Sequence, residues 1–293
     1  MIDLKKFITF FKRLKIKYFT GVPDSVLDEF IKEIKNEKTI THEPTNNEGA
    51  AIASGAGYYL ATGKIPFVYM QNSGLCNATN PILSLIDEKV FSLPQIILVG
   101  RRGAPGIKDE PQHAKIGPKT INILNTLKLK SIDLSKKKSE QEIFNSIKEA
   151  VKLARVNNKP VFLIINKGFF KKKLIKKKIS KENDNKRIEY IEKIILNKNL
   201  KDSVIFSSTG YVSRELYYLN ELHNKGHGST FYNIGAMGHV GQIALAFKKF
   251  NKNKKIKVVI LDGDGSLQMQ MGNILNLGKT NLKILHIVFN NHT

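Results

Sequence analysis

At 293 residues the chain is long enough for two domains with a sizeable core each, and 41% hydrophobic against 25% charged residues excludes general disorder. The 48 Lys+Arg against 25 Asp+Glu leave +23, which is read as a lysine-rich solvated exterior because no helix-turn-helix, zinc spacing or aromatic ladder accompanies the lysines to suggest nucleic acid. One cysteine, Cys76, cannot form an internal disulfide, and no run of about 18 apolar residues could cross a bilayer, so the expectation is a reduced, cytoplasmic protein without a membrane partner.

In chain order, Leu4, Phe7, Ile8, Phe11 and Leu14 recur as one helical face, with no small-residue cleavage site after them, and predict a first helix rather than a signal segment. Strands are then predicted at 18–22, 39–42, 66–70, 95–100 and 161–165, with helices at 25–34, 48–60 and 140–154. The dense run Lys171, Lys172, Lys173, Lys176, Lys177 and Lys178 leads into a polar stretch from Ser180, and 169–184 reads as a basic linker between domains at 1–168 and 185–293. Beyond it come strands at 204–207, 230–234, 256–261 and 284–289, alternating with helices at 213–222, 240–250 and 267–277. Strand and helix alternation implies parallel sheets. Runs such as KVVILDG and ILHIVFN are apolar throughout, so helices should cover both faces, which gives an α/β fold of two doubly wound parallel-sheet domains. Ligands of such sheets sit beyond the carboxyl ends of the strands.

Two strings mislead. Gly57 to Lys64 looks like a nucleotide phosphate loop but has one residue too many between its glycines, and Ile65 stands where Ser or Thr should meet magnesium. Gly263-Asp264-Gly265 begins like a dinucleotide fingerprint, yet Gln268 replaces its third glycine, so hydride chemistry with NAD is not expected.

The strongest signal is a strand ending in Gly263-Asp264-Gly265-Ser266, a helical stretch, and a strand ending in Asn290-Asn291. A right-handed crossover returns the second strand parallel to the first, so Asp264 and Asn291 should emerge at the same sheet edge. A carboxylate and an amide carbonyl form a hard oxygen pair suited to Mg²⁺, which leaves its other positions to water and phosphate oxygens. Gly263 and Gly265 should let backbone amides approach an anion, aided by a helix start near Ser266. The set reads as a diphosphate and magnesium site.

These residues resemble the motif of the thiamin-diphosphate-dependent enzymes. The resemblance extends to Asn47-Glu48-Gly49-Ala50 in the first half and to Gly235-Ala236-Met237-Gly238-His239 in the second. It implies a pyrimidine-binding first domain with Glu48 as the activating glutamate, and a diphosphate-binding second domain. There the Gly235 carbonyl and the Met237 N–H bond the pyrimidine beside Gly238, and the Met237 side chain wedges the cofactor. Thr209 and Gly210 complete the diphosphate cradle, and the Thr293 carbonyl is the third protein ligand of Mg²⁺.

Further strings, Gly21-Val22-Pro23-Asp24-Ser25, Gln71-Asn72-Ser73-Gly74, Asp109-Glu110-Pro111-Gln112-His113 and Ser213-Arg214-Glu215-Leu216, resemble the 2-oxo acid decarboxylases that act on phosphonopyruvate, with the sulfopyruvate group closely similar. On that resemblance Asp24 and His113 handle protons, and Gln71, Asn72 and Ser73 orient the substrate carboxylate. Arg102, with Lys108 and Lys115, is nearby for an anionic substrate tail. The implied assembly is a homo-oligomer, at least a dimer, with each site at an interface. Cys76 stands where the resemblance expects glycine. The chain stops two residues after Asn291, so the second domain is expected to be incomplete, and a non-catalytic or fragmentary relative stays open as an alternative, as does a carboligase.

Overall fold

The computed structural model describes residues 1–171 and 184–290. The chain divides into two compact units, Met1–Ile175 and Lys176–Thr293. The linker lysines from Lys172 to Lys178, together with Asn291 and Thr293, lie outside the described residues.

The first unit opens with α1 (Leu4–Arg13), capped by Asp3, whose side chain accepts from the Lys6 N–H at 2.9 Å. There follow β1 (Tyr18–Gly21), α2 (Asp28–Lys35), β2 (Thr41–Pro44), α3 (Glu48–Thr62) and β3 (Phe67–Gln71). Then come α4 (Gly74–Pro81), which runs into a π-helical turn at Ile82–Ile86, β4 (Ile96–Arg101), α5 (Ile116–Thr126), β5 (Lys130–Asp133), α6 (Glu140–Asn157) and β6 (Val161–Asn166). All strands pair in parallel in the order β2-β1-β3-β4-β6-β5.

Because strand side chains alternate between faces, the apolar run of β3 serves two cores at once. Phe67 and Tyr69 join α1, α2 and α6 on one face, and Val68 and Met70 join α3, α4 and α5 on the other. Phe7, Phe11, Phe19, Phe30 and Phe67 are fully buried, each contributing about 1.5–3 kcal/mol. Phe169 and Phe170 are buried in the same core, and Phe170 bridges to Ile2. The first unit therefore keeps two residues that the lysine pattern assigns to the linker.

The second unit comprises α7 (Asp184–Leu196), β7 (Ser203–Ser207), α8 (Tyr211–Leu222), β8 (Thr230–Tyr232), α9 (Val240–Phe250), β9 (Lys257–Gly263), α10 (Asp264–Met269), α11 (Asn273–Gly278) and β10 (Ile284–Phe289). Its parallel sheet has the order β10-β9-β7-β8. Val259 and Leu261 face α7 and α8, and Val258 and Ile260 face α9.

Two expectations need correction here. The helix expected at 267–277 is two six-residue helices, because the chain breaks at Gln270 with φ −136°. The strand at 284–289 is not covered on both faces. As the edge strand it leaves Leu285 45% and Val288 38% exposed. Gly63, in the discarded phosphate-loop string, ends α3 in the left-handed conformation with its N–H on the Tyr59 carbonyl, a helix cap.

Candidate active site

In the first unit, β1, β3 and β4 deliver their carboxyl ends to one rim. After β1 the chain turns at Asp24, whose Oδ2 accepts from the Val26 N–H at 3.0 Å while Oδ1 accepts from the Gln71 amide at the end of β3. The fit over β4 is close, since a Cβ on Gly100 would come within 2.9 Å of Asp24 Oδ2. Gln71 Oε1 in turn accepts from the Ser73 hydroxyl. Next along the chain, Gly74 starts α4, and any Cβ there would overlap the Glu48 carboxylate. Glu48 opens α3, is 5% exposed, and accepts from Asn77 Nδ2 at 3.0 Å through Oε2. Asp24, Gln71 and Ser73 thus form a hydrogen-bonded line, and Glu48 packs against Gly74, the residue that follows Ser73.

Burial pushes the Asp24 carboxyl upward, against the opposing pull of the Gln71 amide, the Val26 N–H and the Arg102 charge. Burial likewise lowers His113, helped by the positive Arg102, and Nδ1 of that buried imidazole has no hydrogen-bond partner. Burial therefore disfavours the charged form of both groups. Both feel the charge of Arg102, which belongs to the same rim.

Two predicted substrate groups have other duties. The Asn72 amide, fully buried, donates to the Arg102 carbonyl and Thr120 Oγ1 and accepts from the Arg102 N–H, each at 3.0 Å, so it ties β3 to β4 and does not face a ligand. Arg102 Nε reaches Asp109 Oδ2 at 2.8 Å, and Nη2 also meets Asp109. This pairing holds the Asp109 carboxyl well below the usual carboxylate range. The guanidinium is thus already engaged in an ion pair. Lys108, Lys115 and Cys76 are exposed.

In the second unit the rim is built by the ends of β7, β8 and β9. Phe289 pairs with Gly263, so β9 and β10 leave the sheet side by side. Among the described residues Asp264 alone represents the predicted metal ligands, and its Oδ1 accepts from the Gly265 N–H at 2.9 Å. The Gly263 N–H is engaged by Asp262 Oδ1 at 2.9 Å and Ser208 Oγ at 3.1 Å, so it does not point outward as the sequence suggests. Asp262 is buried beside His286, whose Nε2 is 3.3 Å from Oδ2.

Asn233 shortens β8 by accepting from the Ala236 N–H at 3.0 Å and donating to the Ala236 carbonyl at 2.7 Å, which curls the loop 233–236. Within that loop the Gly235 carbonyl accepts from the Met237 N–H at 3.0 Å, so the predicted pyrimidine acceptor and donor stand face to face. The Gly238 N–H donates to the buried Ser266 Oγ at 3.2 Å, and Met237 Cε lies 3.7 Å from where a Cβ on Gly265 would be. The 235–238 loop and the Asp264 turn are therefore in contact. Thr209 Oγ1 is buried without a partner, and Gly210 beside it has φ +105°, open to glycine but strained for other residues. A buried hydroxyl with nothing to bond suits a phosphate oxygen, and the Asp264 carboxylate suits the divalent cation such an anion carries.

Sequence reading does not single out Asn77, Asp262 or His286. The last two carried a usable signal, since each interrupts an otherwise apolar strand, and buried polar groups need partners.

Residues 5–125 match the thiamine pyrophosphate enzyme N-terminal TPP binding domain, and residues 209–293 match the C-terminal TPP binding domain. The chain belongs to the thiamine pyrophosphate enzymes, in which both units have a place. Sulfopyruvate decarboxylase subunit alpha of Methanococcus maripaludis is 30% identical over 52% of this chain and 86% of its own length. Phosphonopyruvate decarboxylase of Streptomyces viridochromogenes is 26% identical over 95% of this chain and 70% of its own length. The solved benzoylformate decarboxylase of Polynucleobacter necessarius aligns with a TM-score of 0.46 at 15% identity over 89% of this chain, which spans about half (51%) of that structure's length.

Proposed function

We propose that the chain catalyses the non-oxidative decarboxylation of 3-phosphonopyruvate to phosphonoacetaldehyde and CO₂, with thiamin diphosphate and Mg²⁺. The observation that carries this choice of substrate is that similarity to a phosphonopyruvate decarboxylase runs through both units of one chain, whereas the sulfopyruvate relatives are separate alpha and beta subunits, matching 52% and 36% of it. Bound thiamin diphosphate supplies the electron sink for the pair released with CO₂.

The chain's own groups divide the remaining work. Glu48 Oε2 is occupied by the Asn77 amide, which leaves Oε1 to share a proton with the pyrimidine ring. Asp24 and His113 would pass the protons of the reaction, burial making the charged form of each costlier than in water. Gln71 keeps one amide N–H beyond its bond to Asp24 for the substrate carboxylate, and the Ser73 hydroxyl would have to turn from Gln71 to join it. Arg102, paired with Asp109, organises the rim, while the exposed Lys108 and Lys115 offer cations to the phosphonate.

In the second unit, Asp264 with Asn291 and the Thr293 carbonyl would hold Mg²⁺. Thr209, Gly210, Gly263, Gly265 and Ser266 would line the diphosphate, and the Gly235 carbonyl and Met237 N–H would exchange their mutual bond for the pyrimidine, beside Gly238. The working protein is at least a dimer.

An aldehyde-coupled assay with phosphonopyruvate, sulfopyruvate and pyruvate, with and without added thiamin diphosphate and Mg²⁺, tests the proposal. Turnover of phosphonopyruvate above the other two supports it. A preference for sulfopyruvate moves the substrate assignment, and no cofactor-dependent turnover of any of the three overturns the proposal.

A further inference from the structure

We infer that Asp262 and His286 form a positioning pair that sets the direction of the turn carrying Asp264. The inference rests on the reading of that turn as the cofactor site. Asp262 is 2% exposed at the penultimate position of β9, a carboxylate in a strand that is otherwise apolar from Val258 to Leu261. A buried charge is tolerated only when its oxygens are bonded, and each oxygen here has a partner with a separate consequence. Oδ2 faces Nε2 of His286, on β10, at 3.3 Å. Oδ1 accepts from the Gly263 N–H at 2.9 Å, the first peptide of the turn.

The same N–H reaches Ser208 Oγ at 3.1 Å, and Ser208 is fully buried just past β7, with its own N–H on the Leu261 carbonyl at 2.9 Å. The turn is thus pinned from both neighbouring strands, by Ser208 on one side and by His286 through Asp262 on the other. Such pinning matters because Asp264 stands between Gly263 and Gly265. Glycine has wide backbone freedom, so the turn's own bonds, Gly263 N–H to Asp262 and Gly265 N–H to Asp264, gain from support by the neighbouring strands. The imidazole fixes the carboxylate, the carboxylate fixes the peptide, and the peptide sets where the Asp264 side chain leaves the sheet. Ligand-bearing segments commonly depend on hydrogen-bonded partners of this kind behind them.

The test uses the full 293-residue chain and two variants, His286→Ala and His286→Gln. Hydrogen exchange over residues 263–266 is followed in cofactor-free protein, and binding of thiamin diphosphate with Mg²⁺ is followed by calorimetry. His286→Ala is expected to speed exchange in the turn and to weaken cofactor binding about tenfold, the low end for loss of a supporting partner. His286→Gln, whose amide can donate to the same oxygen, is expected to restore both. The KM for the 2-oxo acid at saturating cofactor should stay unchanged.

Turn exchange in His286→Ala equal to that of the parent overturns the inference. So does faster exchange spread evenly over β7, β9 and β10 in both variants, which would mark general core loosening. The exchange measurement needs no cofactor. A chain that bound no thiamin diphosphate would defeat the functional reading and leave the exchange result to decide this one.

Discussion

Glu48 sits under the Gly74 backbone with one oxygen on Asn77, a geometry that places its carboxylate without filling both oxygens. Glu48→Gln keeps the shape and removes the acid. Decarboxylation should fall by about 10²–10⁴-fold, measured as aldehyde released, with the circular dichroism spectrum unchanged. Asp24 permits a second prediction. Folding raises its pKa above 3.8, so the folded state binds the proton more tightly than the unfolded chain does. Its contribution to stability is fully present below 3.8 and is lost as pH rises through the raised value. Asp24→Asn should therefore unfold at higher denaturant than the parent at neutral pH, and the advantage should vanish in acid. His113 works in the opposite sense. Its pKa is lowered from 6.5, so its contribution is present above 6.5 and lost as pH falls through the lowered value. His113→Gln should flatten that part of the acid limb in urea titrations at several pH values.

At the scale of elements, the start of α4 shows how a short helix can position a residue of its neighbour. Gly74→Ala would drive a methyl into the Glu48 carboxylate, and urea unfolding should register a loss of about 1–3 kcal/mol together with lost activity. Gly57, mid-helix in α3 with nothing near its missing Cβ, is the control. Gly57→Ala should stabilise by about 0.5–1 kcal/mol through helix propensity.

Legibility in the sequence also divides by element. Long strands with apolar residues on both faces, β3, β4, β6 and β9, are readable because both cores demand such residues. β5, sequence KSID, is an edge strand with one apolar residue, and α4 carries Pro81 and passes into a π turn, so neither shows a period to read. Asp24 and His113 stand in strings that resemble those of the family. That Asn72 and Arg102 are held by Thr120 and Asp109 depends on contacts between distant segments, which no local pattern records.

For the molecule as a whole, Glu48 belongs to the first unit and Asp264 to the second, and the proposed function calls on one of each. If sites form between subunits, mixing Glu48→Gln with Asp264→Asn chains rebuilds one native site in each mixed dimer. Statistical pairing then restores about a quarter of the parental activity, whereas sites within one chain would restore none. Activity after co-refolding of the two inactive chains measures this. Cofactor binding should also stabilise the fold. At a hundred times its dissociation constant, thiamin diphosphate with Mg²⁺ adds about 2.7 kcal/mol, seen as a raised Tm that EDTA reverses.

The alternation of the long strands with helices and the two parallel sheets were determined by the sequence itself. Periodicity and turn chemistry are local properties that a linear string carries in full. Which oxygen and which N–H remain for a ligand was decided only by the tertiary structure. It turned the Gly263 amide toward Asp262 and Ser208, left Thr209 Oγ1 buried without a partner, and set His286 behind the turn. A hydrogen bond has a fixed number of partners, and only folding decides which distant group arrives first.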